Sequence, residues 1–427
     1  MRWISTFAAA VLAAMLPVCA TAQVAAPLPP TVSGAQAEVR PPITILISID
    51  GFRSDYLNRG VTPVLSRLAA EGASGPMRPS FPSKTFPNHW TIVTGLRPDR
   101  NGITANKIED PEFPDKPFTM TTDDPKWWNA AEPIWVAAEN AHIRTGTLFW
   151  PGSSVAFGGK RTGHYDDVEG GTRPEDWAQF NMAINNDQRV NGVLDWVRRP
   201  AAIRPKFITV YFDTIDTAGH NFGPDDPRTT EAVGEIDKTI GALVDGLAAM
   251  GQPVNLVIVA DHGMAATSAD RVILIRDIAD PADFRVIDSG PYAAIDPLPG
   301  HEAALAKRLL APHPHLQCRR KGDLPQRLHF GRNPRVSAFI CIADMGWLLL
   351  EKLPDKGVDP GNHGYDPDAP EMRAIFIAAG PAIRPAGRLP AFDNVDVYPL
   401  LRDLLRLPPK AGIDGSDAPL RAILKKR

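Results

Sequence analysis

The chain has 427 residues, of which 44% are hydrophobic and 22% charged, with a formal net charge of −3. This composition supports a large folded core of a globular protein, and the prolines scattered along the chain read as ordered surface loops rather than disorder. The near-neutral charge leaves no footprint for a nucleic-acid polymer.

The first stretch, "MRWISTFAAAVLAAMLPVCATAQ", places Arg2 before an apolar run over 4–18 and an A-x-A site at Ala20, Thr21 and Ala22. That pattern predicts a cleaved signal peptide over 1–22 and export, to a bacterial periplasm. The apolar run contains Pro17 and falls short of the about 20 residues a membrane-spanning helix needs, so no span is expected. Residues 23–40 are rich in Ala, Pro and Val without periodicity and read as a linker; a catalytic domain is expected over 41–427. Cys19 would leave with the leader, so Cys318 and Cys341 remain, and in an oxidising compartment they can pair or stay as two separate thiols.

"ITILISI" (Ile43–Ile49) is a continuous apolar run, the pattern of a strand buried on both faces. Helical patterns follow over Pro63–Glu71, Thr85–Thr94 and 132–141. Further buried strands are expected at "FITVYF" (Phe207–Phe212), "VNLVIVA" (254–260) and "AIFIAAG" (374–380), with long helices over 229–250 and 394–405. "NNDQRVNGVLDWV" reads as an amphipathic surface helix. Strands alternating with helices predict an α/β fold with a mostly parallel central sheet sandwiched by helices. Residues 151–188 and 265–360 break the alternation; both read as insertions, the second as a smaller α+β subdomain.

In open α/β sheets, ligands bind beyond the carboxyl ends of the strands. Asp50 follows the first strand, Asp216 and His220 follow the third expected one's predecessor "FITVYF", and Asp261 and His262 follow "VNLVIVA". Asp216 and His220 are four apart and share a face of a helical turn. His363 sits in a Gly-flanked loop, "GNHGYDP". Three carboxylates and three imidazoles divide into two sets of three, and three such ligands leave an open position on a catalytic zinc. Two metals about 3.5–4 Å apart can clamp the attacking and leaving oxygens of a phosphoryl transfer. Thr85, in "PSFPSKTFPNHWTIVTG", stands at the expected start of a helix, where free N–H groups and the helix dipole favour an anion. His89, His142, His164 and His329 are expected in structural roles.

Taken in order, "SIDGFRSDYL", "PSFPSKTFPNHWTIVTGLRPDRNGI", "TAGHNFGP", "ADHGM" and "GNHGYDP" resemble the motifs of the nucleotide pyrophosphatase/phosphodiesterases, within the alkaline phosphatase superfamily, from about residue 43 to about 409. The resemblance implies an alkaline phosphatase-like fold and a two-zinc phosphodiesterase that hydrolyses nucleotide-type diesters through a covalent phospho-threonine on Thr85. It implies one zinc on Asp216, His220 and His363, and another on Asp50, Asp261, His262 and the Thr85 oxygen. It also implies Asn106 as a hydrogen-bond donor to a non-bridging phosphate oxygen, with Tyr211, Phe86 and Trp177 around the substrate group. One departure is Ile215, where the family usually has proline before the metal aspartate. Rival expectations are a glycerophospho- or choline-phosphodiesterase, a phosphomonoesterase of the same superfamily and a metal-binding pseudoenzyme. A sulfatase is excluded by the absence of C/S-x-P-x-R at the nucleophile.

Overall fold

The run Ile43–Ile49 (β1) is buried at every position, because it lies mid-sheet with a parallel neighbour on each side. The computed structural model describes residues 38–114, 116–163 and 167–426. The expected leader, almost all of the expected linker and His164 lie outside the described residues. Arg40–Arg427 forms one unit. No described helix is long and apolar enough to cross a membrane.

In chain order, β1 is followed by α1 (Pro63–Glu71), β2 (Ala73–Arg78), α2 (Thr85–Thr94), α3 (Ile134–Asn140), β3 (Thr145–Leu148) and β4 (Asp176–Ala178). Next come α4 (Asn186–Arg198), β5 (Phe207–Phe212), α5 (Thr214–Phe222), α6 (Pro227–Ala249) and β6 (Val254–Val259). An insertion carries β7 (Phe284–Asp288), β8 (Tyr292–Pro297), α7 (Glu302–Leu309), β9 (Leu316–Arg320) and β10 (Phe339–Ala343). The chain then returns through β11 (Ala374–Ala379), β12 (Gly387–Arg388), β13 (Phe392–Asp393) and α8 (Val397–Leu404).

Among the described residues the principal sheet runs β12-β2-β11-β6-β1-β5-β3-β4, with β13 also on β2. It is mostly parallel, as the strand–helix alternation predicts, and helices flank it. The exception is β11, antiparallel to both β6 and β2. This reversal matters for the site. The start of β11 lies beside the end of β6, where the Ala260 N–H bonds the Ile375 carbonyl at 3.2 Å. The loop before β11, which carries His363, therefore enters at the edge where β1, β5 and β6 end.

Five strands of this sheet, β2, β3, β4, β12 and β13, escaped pattern reading, and two of them show why. β2, "ASGPMR", contains Gly75 and Pro76, both poor strand formers. β4 lies inside the 151–188 stretch read as an insertion, yet it pairs in parallel with β3 and extends the main sheet. The helix α4 is amphipathic, as its composition suggests: Val190, Val193, Leu194 and Val197 are buried, while Asp187, Asn191 and Asp195 are exposed. A trans cap orders α1, since Asp237 on α6 accepts the N–H groups of Val64 (3.1 Å) and Leu65 (2.8 Å) at its start, satisfying donors that a helix leaves open.

The insertion builds its own antiparallel sheet, β7-β8-β10-β9. One face packs with α7 around Phe284, Ile295, Leu305, Leu309 and Phe339. The other receives Phe81, from the approach to Thr85, among Tyr292, Leu328 and Phe330. Cys318 and Cys341 face each other across β9 and β10 and form a disulfide 23 residues apart in sequence. A loop of that length contributes about 3 kcal/mol in the chain-entropy account. Replacing both cysteines by alanine is expected to lower the unfolding free energy by up to that amount, read by urea titration under non-reducing conditions.

Candidate active site

The approach to Thr85 is held by Asn88, three residues further on and fully buried. Asn88 Oδ1 accepts from the Ser80 N–H (2.7 Å) and from Asn394 Nδ2 (2.8 Å). Its Nδ2 donates to the carbonyls of Pro82 (2.9 Å) and Lys84 (2.8 Å). With the prolines limiting φ on either side, the backbone from Ser80 to Lys84 has little freedom, and Thr85 is the first residue of α2. Its amide is one of the donors without an acceptor inside the helix. The next amide, Phe86, donates to Asn106 Oδ1 at 3.0 Å. That bond fixes which amide atom is oxygen, so Asn106 presents its Nδ2 donors elsewhere.

The Thr85 hydroxyl lies 3.3 Å from His262 Nε2. His262 Nε2 is also 3.4 Å from Asp50 Oδ1 and 2.9 Å from Asp261 Oδ2. A second group adjoins it. Asp216 Oδ1 lies 3.5 Å from His220 Nε2 and 3.6 Å from His363 Nε2, and the two Nε2 atoms are 3.2 Å apart. The groups are continuous, because the His262 and His363 rings stack at 3.4 Å. Asp216, His262 and His363 also fall within 4.8 Å of one another. Glycine permits this convergence at two points. Gly51 has φ +69°, and an added Cβ would sit 3.0 Å from the Asp216 Cα. A Cβ on Gly263 would sit 2.0 Å from the Glu371 carbonyl oxygen. Ile215, in place of the family's proline, is buried in the first turn of α5, and the one-turn spacing of Asp216 and His220 is intact.

All three imidazoles are oriented the same way. Nδ1 of His220 bonds the Gly361 carbonyl (2.9 Å), that of His262 the Gly263 carbonyl (2.9 Å), and that of His363 the Ser83 carbonyl (2.9 Å). A carbonyl only accepts, so each Nδ1 carries the proton and each Nε2 turns a lone pair into the cradle. This is the arrangement of metal-ligating histidines. Facing the lone pairs, Asp50 Oδ1, Asp216 Oδ1 and Asp261 Oδ2 are buried without a hydrogen-bond partner. Burial, followed by the neighbouring carboxylate charges, pushes the Asp50 and Asp261 carboxyls well above the usual carboxylate range. Burial, followed by His262, His220 and Lys84, holds His363 far below the usual imidazole value, hence neutral. Lone pairs and orphaned carboxylate oxygens crowded this closely have no mutual hydrogen bonds to make. Metal ions fit the donor set in a way that protons do not.

His89 is also close, with Nδ1 3.5 Å from Asp261 Oδ2, and grouping by distance places it with Asp50 and Asp261. Its hydrogen bonds argue against ligation. Nδ1 donates to the Thr85 carbonyl at 2.8 Å, and Nε2 accepts from the Ser48 hydroxyl at 2.7 Å. Both nitrogens are engaged, and burial pushes the ring down to about 3. His89 is a neutral strut under Thr85, a structural role as its sequence context suggests.

The aromatic residues divide differently. Phe86 is half-buried, its ring 5.9 Å from Phe118 and 6.1 Å from Trp128. Tyr211 is buried, and its hydroxyl donates to Asp50 Oδ2 at 2.6 Å. It therefore orients a carboxylate of the cradle as well as presenting its ring. Trp177 sits on the edge strand β4, 43% exposed, with the Arg173 guanidinium 5.3 Å over its ring. From the same stretch it is Phe180 whose ring meets Tyr211, 5.6 Å away and 42% exposed. Phe180 was missed because the Gly-, Asp- and Asn-rich stretch around it has no periodicity to mark an inward position. Lys84 places its amine 5.9 Å from the Tyr292 ring, toward the insertion.

A model of the type I phosphodiesterase / nucleotide pyrophosphatase family matches residues 44–366. The chain belongs to that family. Mouse ectonucleotide pyrophosphatase/phosphodiesterase family member 1 is 36% identical over 409 residues, 91% of this chain and 43% of the mouse protein. The bis(5'-adenosyl)-triphosphatase of Xenopus laevis is 35% identical over 364 residues, 84% of this chain and 77% of the frog protein. The chain thus spans less than half of the mouse relative and about three quarters of the frog one. Among solved structures, murine ectonucleotide pyrophosphatase/phosphodiesterase 5 superposes with a TM-score of 0.82 at 32% identity, covering 90% of this chain and all of that one. The same protein has been solved as an inactive threonine-to-alanine variant in complex with AMP, at the same TM-score. The architecture is therefore the alkaline phosphatase-like fold of this family.

The raised carboxyl pKa values set a sign for stability. In the metal-free protein the folded state holds these protons more tightly than the unfolded chain. The stability contributed by these two groups is then fully present below the unfolded carboxylate value of 3.8 and is lost as pH rises through their folded values. Added Zn²⁺ is expected to reverse this loss near pH 7 and to release protons on binding. Thermal melts across pH with and without metal, and titration calorimetry in buffers of different ionisation enthalpy, measure both effects.

Proposed function

We propose that this family member is a two-zinc phosphodiesterase acting on nucleotide-type diesters, with Thr85 as nucleophile and a nucleoside monophosphate as product. The observation that carries the reading is the cradle beside Thr85: three Nε2 lone pairs facing three carboxylate oxygens that have no other partner. Asp216, His220 and His363 would hold one ion, and Asp50, Asp261 and His262 the other, next to the Thr85 oxygen. When bound, the ion pair supplies Lewis acidity, easing ionisation of the threonine hydroxyl and stabilising charge on the leaving oxygen.

The remaining work falls to the chain. Thr85 Oγ1 gives up its proton to solvent and attacks phosphorus; the bond to the leaving oxygen breaks, that group departs and takes up a proton from solvent, and a phospho-threonine that still carries the nucleoside ester remains. Water then attacks phosphorus on the opposite side, the bond to Oγ1 breaks, a proton given up by the water goes to Oγ1, and Thr85 is regenerated as the nucleoside monophosphate leaves. The Thr85 amide and Asn106 Nδ2 donate to the non-bridging oxygen on which charge develops, at the start of a helix whose dipole favours it. Tyr211 steadies the Asp50 carboxylate, and His89 steadies the Thr85 backbone. Phe86 and Phe180 offer aromatic faces for a base. The AMP complex of the murine neighbour supports a nucleotide over a glycerophospho- or choline-type substrate.

Thr85→Ala is expected to abolish turnover of bis- and mono-p-nitrophenyl phosphodiester substrates while keeping two zinc ions per chain by elemental analysis. Wild-type turnover in this variant would end the scheme. Separately, the wild-type protein is expected to prefer a nucleotide p-nitrophenyl diester over p-nitrophenyl phosphate, and a reversed preference in kcat/KM would favour a phosphomonoesterase.

A further inference from the structure

Asn106 lies in a segment that follows α2, but the insertion supplies that segment's anchors. Upstream, the Asp99 carboxylate accepts the N–H groups of Gly331 (3.0 Å), Arg332 (2.8 Å) and Asn333 (3.1 Å). Downstream, Glu109 pairs with Arg285, and Arg335 Nε donates to Asp110 Oδ2 at 2.7 Å. Arg335 also reaches back. Its Nη1 donates to the Gly102 carbonyl (2.9 Å) and to the Trp127 carbonyl (3.0 Å), and its guanidinium lies 4.6 Å from the centre of the Trp127 ring. A single planar fork thus joins Gly102, Asp110 and Trp127, the first two bracketing Asn106.

The contact is built closely. The Arg335 side chain is 11% exposed and that of Asp110 is 8% exposed. Gly102 has φ +84°, and an added Cβ would stand 3.0 Å from Arg335 Nη1, so the approach depends on glycine at that point. Lysine could match the charge of Asp110 but not reach one carboxylate and two carbonyls together, because its donors radiate from one atom. Between the bracketed ends, Asn106 makes its own bond to the Phe86 amide. Movement of Gly102 or Asp110 would displace Asn106 relative to Thr85, its neighbour through Phe86.

We propose that Arg335 is a positioning residue for the reaction: from the insertion, it fixes the segment that aims Asn106 at the phosphate. The proposal rests on the reading of Asn106 given under Proposed function. Arg335 itself contacts neither Thr85 nor the cradle side chains among its hydrogen bonds. It also assigns the insertion a part in catalysis, since an arm outside the main sheet would set a group that stabilises developing charge.

The test is a double-mutant cycle in the zinc-loaded full chain. Arg335→Ala is expected to lower kcat about 10- to 100-fold, the range for a misplaced catalytic contact, with little change in KM and two zinc ions retained. Amide hydrogen exchange at Phe86 should rise, because its acceptor is no longer held. In an Asn106→Ala background, Arg335→Ala should change kcat by less than about two-fold, the sign of two residues acting through one contact. Arg335→Lys carries the same cycle should the alanine variant fold poorly; it is expected to recover melting temperature without recovering kcat. Losses that multiply in the double variant, or recovery of kcat with the lysine, would reduce Arg335 to a structural tie and overturn the proposal. Failure of the underlying reading looks different: Asn106→Ala alone would keep wild-type turnover, and both ideas would fall together.

Discussion

The structure is organised around an electrostatic problem. Asp50, Asp216 and Asp261 come together at one end of the sheet, and the first and last are fully buried. Two like charges 4 Å apart repel by about 4 kcal/mol even at an effective dielectric of 20. The histidines of the cradle, His220, His262 and His363, meet these carboxylates with inward nitrogens that carry lone pairs rather than protons. Such a cluster persists only with positive charge at its centre or with its carboxyls protonated. The raised carboxyl pKa values are the metal-free expression of the same conflict.

The backbone around the cradle is arranged to keep the conflict in place. Strand order brings the ends of β1, β5 and β6 side by side, and reversal of β11 sends the His363 loop to the same edge. Each imidazole is tied through Nδ1 to a main-chain carbonyl, so the rings cannot turn to satisfy the carboxylates themselves. Tyr211 and Gly51 N–H supply the hydrogen bonds that the carboxylates do make, at 2.6 Å to Asp50 and 3.3 Å to Asp261. Thr85 is held by a different device, a buried asparagine that satisfies the main chain of its approach. Rigidity of Thr85 and of the three imidazoles thus comes from hydrogen bonds to backbone, whose positions are fixed by the sheet and by α2. Fixed dipoles of this kind require little rearrangement when charge develops.

The insertion couples to this centre without sharing its core. Its antiparallel sheet has its own apolar face around Phe284 and Leu305, and it carries the disulfide. Its other face takes in Phe81, and its arginines grip the Asn106 segment. The two contacts bear on the two sides of Thr85, one on the chain leading to it and one on the Asn106 segment beside it.

The central strands were legible because strands buried on both faces leave uninterrupted apolar runs, and Pro63–Glu71 and Thr85–Thr94 carry their helix boundaries in proline and glycine. The chemical character of the site was legible for a related reason. In a parallel sheet the residues just after the strands share one edge, so Asp50, Asp216, Asp261 and their neighbouring histidines could be placed together from their sequence positions. Other features have no local signature. β2 and β4 are strands because partners lie beside them, despite glycine and proline in one and an irregular setting in the other. Phe180 meets Tyr211, and Arg335 grips the segment around Asn106, across more than 30 and 220 residues respectively. Residue types and their order determined which chemistry the chain can perform and at which edge of the sheet. Only the tertiary structure decided how each donor is aimed, because direction depends on hydrogen bonds to backbone atoms that are distant in sequence.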